Sequence, residues 1–217
     1  MFTRTVKDRF SVIGKYTAAG RVLDVGCVDA RPARENSRAR VDRKPDLLFR
    51  QLVEKNPQTI GLDIDAKGVV FLNELGFTVL CADAETVQLD QKFDAIVAGD
   101  IIEHLENPGR FLRNMCGHLA PGGHLLLTTP NPFYSGQSWK IWKYGLPQVH
   151  EDHTCWLDPV TLCQLLTRTG YRVVEGVWTQ PKRNWLKSWK CLFRPYFAHS
   201  FLVVAESSDA GEIPQAA

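Results

Sequence analysis

Short runs of aliphatic and β-branched residues alternate along the chain with longer stretches whose apolar residues recur every three or four positions. Seven runs carry the strand pattern: 21–26 (RVLDVG), 59–64 (TIGLDI), 77–83 (FTVLCAD), 93–100 (FDAIVAGD), 124–129 (HLLLTT), 172–178 (RVVEGVW) and 201–206 (FLVVAE). The first five are almost unbroken in apolar character, as expected of strands covered on both faces. The spacing predicts helices over 44–55, 66–75, 108–119 and 159–169. In the third, Phe111, Leu112, Met115 and Leu119 form one stripe, stopped by Ala120-Pro121-Gly122-Gly123. In the fourth, Asp158 stands as N-cap, Pro159 takes the first helical position and Gly170 closes the far end. Strand alternating with helix predicts an α/β fold with a mostly parallel sheet, and right-handed crossovers place helices on both faces.

Composition narrows the class. A chain of 217 residues fits one domain with an added segment, here 1–207, followed by a small polar tail over 208–217 that is expected to fray. With 44% hydrophobic and 23% charged residues the chain is neither fibrous nor wholly disordered. Lys+Arg 26 against Asp+Glu 24 leaves +2, a balance that argues against a nucleic-acid partner. The six cysteines are scattered without C-x-x-C or zinc-ligand spacing, so no metal is expected. No signal-peptide run opens the chain and no stretch approaches 18 apolar residues. A soluble, cytoplasmic protein is the expectation.

In an open α/β sheet, ligands bind beyond the carboxyl ends of the strands. Four successive predicted strands finish at or near an acid: Asp24, Asp63, Asp83 and Asp100. Any one of them can be a helix cap. Together they are suited to hydroxyls, an amino group or an ammonium, and they would repel a pyrophosphate.

VLDVGC, GLDID, CADAE, FDAIVAGDIIEHLENP and LAPGGHLLLTTPNP, in this order, resemble the motifs of class I S-adenosylmethionine-dependent methyltransferases. The likeness is to the small-molecule branch, often found beside bacterial glycan and cell-surface biosynthesis, and spans about 21–170. It implies a Rossmann-like, doubly wound, seven-stranded sheet, in order 3-2-1-4-5-7-6 with the last strand antiparallel. S-adenosylmethionine is the implied cofactor. It also implies site roles. Asp24, Gly26 and Cys27 line the first loop, and Asp63 with Ile64 meets the ribose. Asp83 takes the adenine amino group, the Ala84 N–H meets a ring nitrogen, and Asp100 lies near the sulfonium.

Two features depart from that pattern. The usual G-x-G-x-G loop reads Gly26-Cys-Val-Asp-Ala30, keeping only its first glycine. Asp63 follows Gly26 by 37 residues, against about 20 in a plain dinucleotide unit. The added segment, 31–46, is basic and reads either as a lid or as a solvated loop.

An oxygen acceptor benefits from a base. Candidates are His104, beside Glu103, and His150 and His153 around Asp152, with His153 first because Asp152 adjoins it. His104 is equally readable as a loop-orienting residue. The aromatics Trp139, Trp142, Tyr144 and Trp156 wall an acceptor pocket or form a satellite core; both readings stand. Segment 181–199 interleaves Trp185, Trp189 and Phe193 with five basic residues. It reads as a peripheral membrane contact or as a packed hairpin, and a membrane contact would suit a lipid-linked glycan acceptor. Asn131-Pro132-Phe133 follows the fifth predicted strand, not the fourth as in nucleobase amino methyltransferases, and is set aside. The expected activity is methyl transfer to a small-molecule or glycan-type acceptor, on oxygen. A non-catalytic methyltransferase-like binding module is the alternative. A nicotinamide dehydrogenase is disfavoured by the missing G-x-G-x-x-G.

Overall fold

Near-continuous apolar strands require a sheet covered on both faces, and the computed structural model, which describes residues 2–28, 47–180 and 195–208, has one. In chain order its elements are β1 (Phe2–Val6), α1 (Phe10–Tyr16), β2 (Val22–Val25), α2 (Leu48–Lys55), β3 (Thr59–Asp63), α3 (Ala66–Glu74), β4 (Val79–Cys81) and β5 (Phe93–Gly99). They continue with α4 (Pro108–His118), β6 (Leu119–Pro130), α5 (Ser135–Tyr144), α6 (Pro159–Arg168), β7 (Tyr171–Thr179) and β8 (Ser200–Ser207). The basic segment 31–46, the loop position Ala30, the stretch 181–194 and the tail 209–217 lie outside the described residues.

The sheet has eight strands in the order β1-β7-β8-β6-β5-β2-β3-β4. Leaving out β1, this is the expected order, with β8 antiparallel to both its neighbours. The expectation of seven strands is corrected to eight. Residues 2–6 (FTRTV) pair in parallel with the edge of β7. Their polar alternation suits an edge position and carries no buried-strand signal. Phe2 anchors the strand, its ring 5.2 Å from Trp178.

The pleat explains the two cores. In β5, Ile96 and Ala98 point to one face, where Phe111, Leu112 and Met115 of α4 and Leu162 and Leu166 of α6 pack. Ala95 and Val97 point to the other, against Val12 and Ile13 of α1 and Leu52 of α2. The predicted α4 stripe is fully buried at Phe111, Leu112 and Met115. Asp158 caps α6 with a reciprocal bond pair to Thr161, and Pro159 occupies the first turn.

Register brings the strand ends level. Asp24 lies opposite Gly61 on β3 and Val97 on β5. Asp63 lies opposite Cys81 on β4, and Gly99 opposite Thr128 on β6. The carboxyl ends of β2 to β6 therefore share one edge.

Candidate functional site

Asp24 is the penultimate residue of β2 and only 3% exposed. Burial pushes its carboxyl up to about 8, with nearby Asp63 adding and Arg9 opposing. No described residue donates a hydrogen bond to it. Gly26 follows with φ +77°, donating its N–H to the Leu62 carbonyl at 2.8 Å. This left-handed turn is one that glycine adopts without strain. A Cβ there would stand 3.1 Å from the Ile101 side chain.

Asp63 ends β3. Its two oxygens accept the N–H groups of Val28 and Asp65, each at 2.9 Å. Burial raises its pKa, and those amide bonds oppose the rise. Ile64 projects beyond it, 73% exposed. The Ala82 N–H donates to the Asp63 carbonyl at 3.0 Å, tying the β3 and β4 tips together. Asp83 is exposed and caps its own turn, accepting from the Glu85 N–H at 2.8 Å and the Thr86 hydroxyl at 3.3 Å. Ala84 is buried; its carbonyl accepts from the Asn114 side chain, and its N–H donates to no described residue. Asp63 and Asp83 thus stand on neighbouring tips of one rim.

Asp100 follows β5 with φ +55°, a conformation that costs most residues about 1–3 kcal/mol and is most tolerable for Asn and Asp. The Thr128 hydroxyl donates to it at 3.0 Å, and the Arg9 guanidinium pairs with its other oxygen. Arg9 also donates to Thr128 Oγ1 at 2.9 Å. Neither Arg9 nor Thr128 was singled out by the sequence. The one signal was the apolar pattern Phe10, Val12, Ile13 of the short helix that Arg9 begins.

Cys27 requires a correction. Its thiol is buried in a cluster with Phe49, Val69 and Val79. A Cβ on Gly61 would lie 2.6 Å from Sγ, so glycine makes the space it fills. Burial drives the thiol far above its ordinary pKa. The side chain is core packing, and only its backbone belongs to the first loop.

Beyond Asp100 a short 3₁₀ turn, Ile102–His104, carries Glu103 and His104. The Glu103 carboxyl is buried, accepts the Thr129 hydroxyl at 2.9 Å, and is pushed up to about 7 by burial and then by Asp100. The Glu103 carbonyl accepts the N–H of Thr154 at 2.9 Å, which ties the 150s segment over this turn. His104 Nδ1 lies 3.2 Å from the Asp152 carbonyl. The His104 and His153 rings meet edge to face at 4.6 Å. Burial, then His104 and His150, hold His153 below the ordinary imidazole pKa. The Asp152 carboxylate lies 3.4 Å from His150, and it is the first of the acids that oppose the lowering at His153. The fold also brings Glu103 to this group. Glu103, His104 and His153 bring one ligand atom each within 4.8 Å of one another, a set that can hold a cation and that linear spacing did not reveal.

A cavity of about 250 Å³ opens beside His153, lined also by Pro147, Val149 and Trp156. Trp156 therefore does wall a pocket. Trp139, Trp142 and Tyr144 are all exposed, so they form no satellite core. A larger apolar cavity of about 580 Å³ lies between Phe2, Trp178, Tyr196 and α6, and no strand-tip acid lines it. Asn131 is structural: its amide donates to the carbonyls of Tyr196 at 2.7 Å and Ala198 at 2.9 Å.

Comparison with known proteins matches residues 3–176 to the methyltransferase domain family. The ubiquinone biosynthesis O-methyltransferase of Coxiella burnetii (strain Dugway 5J108-111) is 24% identical over 193 residues, covering 82% of this chain and 74% of the relative. Among solved structures, a SAM-dependent methyltransferase from Archaeoglobus fulgidus superposes with a TM-score of 0.61 at 18% identity, over 93% of this chain and 92% of that one. Magnesium protoporphyrin IX methyltransferase from Synechocystis PCC 6803, solved with bound SAH, gives 0.60 at 18% identity, over 92% and 79%.

Proposed function

The chain belongs to the methyltransferase domain family, and on that premise we propose that it transfers a methyl group from S-adenosylmethionine to an oxygen of a small-molecule acceptor. In this reading Asp24, Gly26, Asp63, Ile64, Asp83, Ala84 and Asp100 form the cofactor cleft. Glu103, His104 and His153 face the acceptor. The observation that carries the reading is the single sheet edge on which four strand-tip acids stand beside a histidine–glutamate group.

The groups present fit such a cofactor. Asp24 is an acceptor without an internal donor, which suits an ammonium. Asp63 spends one lone pair of each oxygen on backbone amides and keeps the others for hydroxyls. Ala84 offers an N–H, and Ile64 offers an apolar face to a flat ring. Once bound, the cofactor supplies a methyl on a sulfonium with a neutral thioether as leaving group. What remains for the protein is alignment, water exclusion and removal of a proton. His153, kept neutral by its surroundings, takes the acceptor proton as attack proceeds. His104 fixes the ring edge-on, and the Glu103 carboxyl stabilises the imidazolium that forms. The name of the Coxiella relative supports oxygen as the atom methylated. A glycan-type or lipid-linked hydroxyl is the narrower form of the same reading.

The test is incubation with methyl-labelled S-adenosylmethionine and a panel of phenolic, glycan and amine acceptors, read by mass spectrometry. Methylated hydroxyls are expected. Amine products alone would overturn the choice of atom. No product from a protein that still binds S-adenosylhomocysteine would favour the binding-module alternative. One rival has its own observation: the same Glu103–His104–His153 trio can hold a divalent cation that acidifies the acceptor. Dialysis against a chelator separates the two. Unchanged kcat supports His153 as base, and kcat lost and then restored by added cation supports the rival.

A further inference from the structure

An ordinary surface helix turns its apolar stripe inward, and α5 does the reverse. The only residue it buries is Gln137, whose amide donates to the Gln148 carbonyl at 3.2 Å. Its large apolar side chains face outward, Trp142 81% exposed and Trp139 54%. Of the fourteen exposed large hydrophobics among the described residues, eight fall within 133–156. Soluble monomers seldom expose a concentration of this kind without a partner for it.

Charge identifies the partner. No acid occurs between Pro130 and His150, while Lys140 and Lys143 stand among the aromatics. The Lys143 ammonium lies 5.1 Å from the Trp139 ring centre and 4.9 Å from that of Tyr144. Trp and Tyr interleaved with Lys is the composition of a bilayer interface, where the rings sit at headgroup level and the ammoniums meet anionic lipid. A second copy of the chain would set this cationic patch against itself across a two-fold axis. A single-stranded nucleic acid would want a basic groove over a larger surface than two lysines supply. No helix among the described residues is long and apolar enough to cross a membrane, so contact here would be peripheral.

We propose that the outward face of α5, with Trp139, Trp142 and Tyr144 flanked by Lys140 and Lys143, docks on an anionic lipid bilayer. The helix leaves the sheet at the end of β6 and leads to His150 and His153. A docked bilayer therefore lies beside the acceptor side of the cleft. The surface goes beyond the catalytic reading and does not depend on it.

The experiment is co-sedimentation of the full chain, at low salt, with vesicles of phosphatidylglycerol and phosphatidylcholine and with phosphatidylcholine alone. Binding is expected to the first and weakly or not at all to the second. Trp139→Ser/Trp142→Ser and Lys140→Glu/Lys143→Glu should each weaken it by about tenfold or more. Both variants change exposed side chains, and an unchanged circular-dichroism spectrum and melting temperature check that they fold. No sedimentation of the parent chain overturns the proposal. So does equal sedimentation of the variants, which would move the contact to another segment. A concentration-dependent dimer abolished by the tryptophan variant, without vesicle binding, would make the occupant a second copy.

Discussion

Asp24 holds a proton over a pH range where an exposed aspartate has lost it. Its folded pKa of about 8 lies above the unfolded value of about 3.9. A carboxyl raised by folding contributes stability that is fully present below the unfolded pKa and is lost as pH rises through the folded one. Glu103, at about 7, acts in the same direction. The cofactor-free protein is therefore expected to melt at a lower temperature near pH 8 than near pH 5. Asp24→Asn should flatten that slope in scanning calorimetry, and a parent Tm that rises over the interval would contradict the assignment. His153→Ala is expected to lower kcat by about 10²–10⁴ with S-adenosylhomocysteine affinity unchanged; full kcat would remove His153 from the base role. The strand-tip acids were legible because an acid that closes an apolar run is visible in one dimension. Cys27 was not, because facing a ligand and facing a core look alike until Gly61 is seen to make room. Nor was Arg9, whose partner Asp100 lies 91 residues away.

At the scale of elements, strands covered on both faces announce themselves by unbroken apolar runs, and β2, β3, β5 and β6 were read for that reason. β4 is shorter than expected, Val79–Cys81 in place of 77–83, because the chain turns into the Asp83 cap. β1 escaped because an edge strand needs no such run. α5 escaped because its pattern points outward. Met115 on α4 is fully buried, so Met115→Ala should cost about 2–5 kcal/mol in denaturant unfolding. A cost below about 1 kcal/mol would mean that α4 packs less closely than its burial implies. Thr129→Val removes the hydroxyl that Glu103 accepts, an expected loss of about 1–3 kcal/mol that should grow as pH rises and the carboxyl ionises. A loss insensitive to pH would place the effect elsewhere than on that bond.

For the whole molecule, one doubly covered sheet aligns five strand ends, and the segments after β5 and β6 bring Glu103, His104 and His153 to the same rim. Local patterning revealed the sheet and its acidic edge. It did not reveal the histidine–glutamate group, which forms where Thr154 and Cys155 bond back to the Glu103 carbonyl and the Thr154 hydroxyl to that of Leu105. Whether this rim grips an adenosine and its amino acid is decided by calorimetric titration of the folded chain with S-adenosylhomocysteine. Saturable binding of one molecule per chain is expected, tightening as pH rises toward 8 and Asp24 ionises. Absence of binding heat at every pH, with the protein folded, would contradict it.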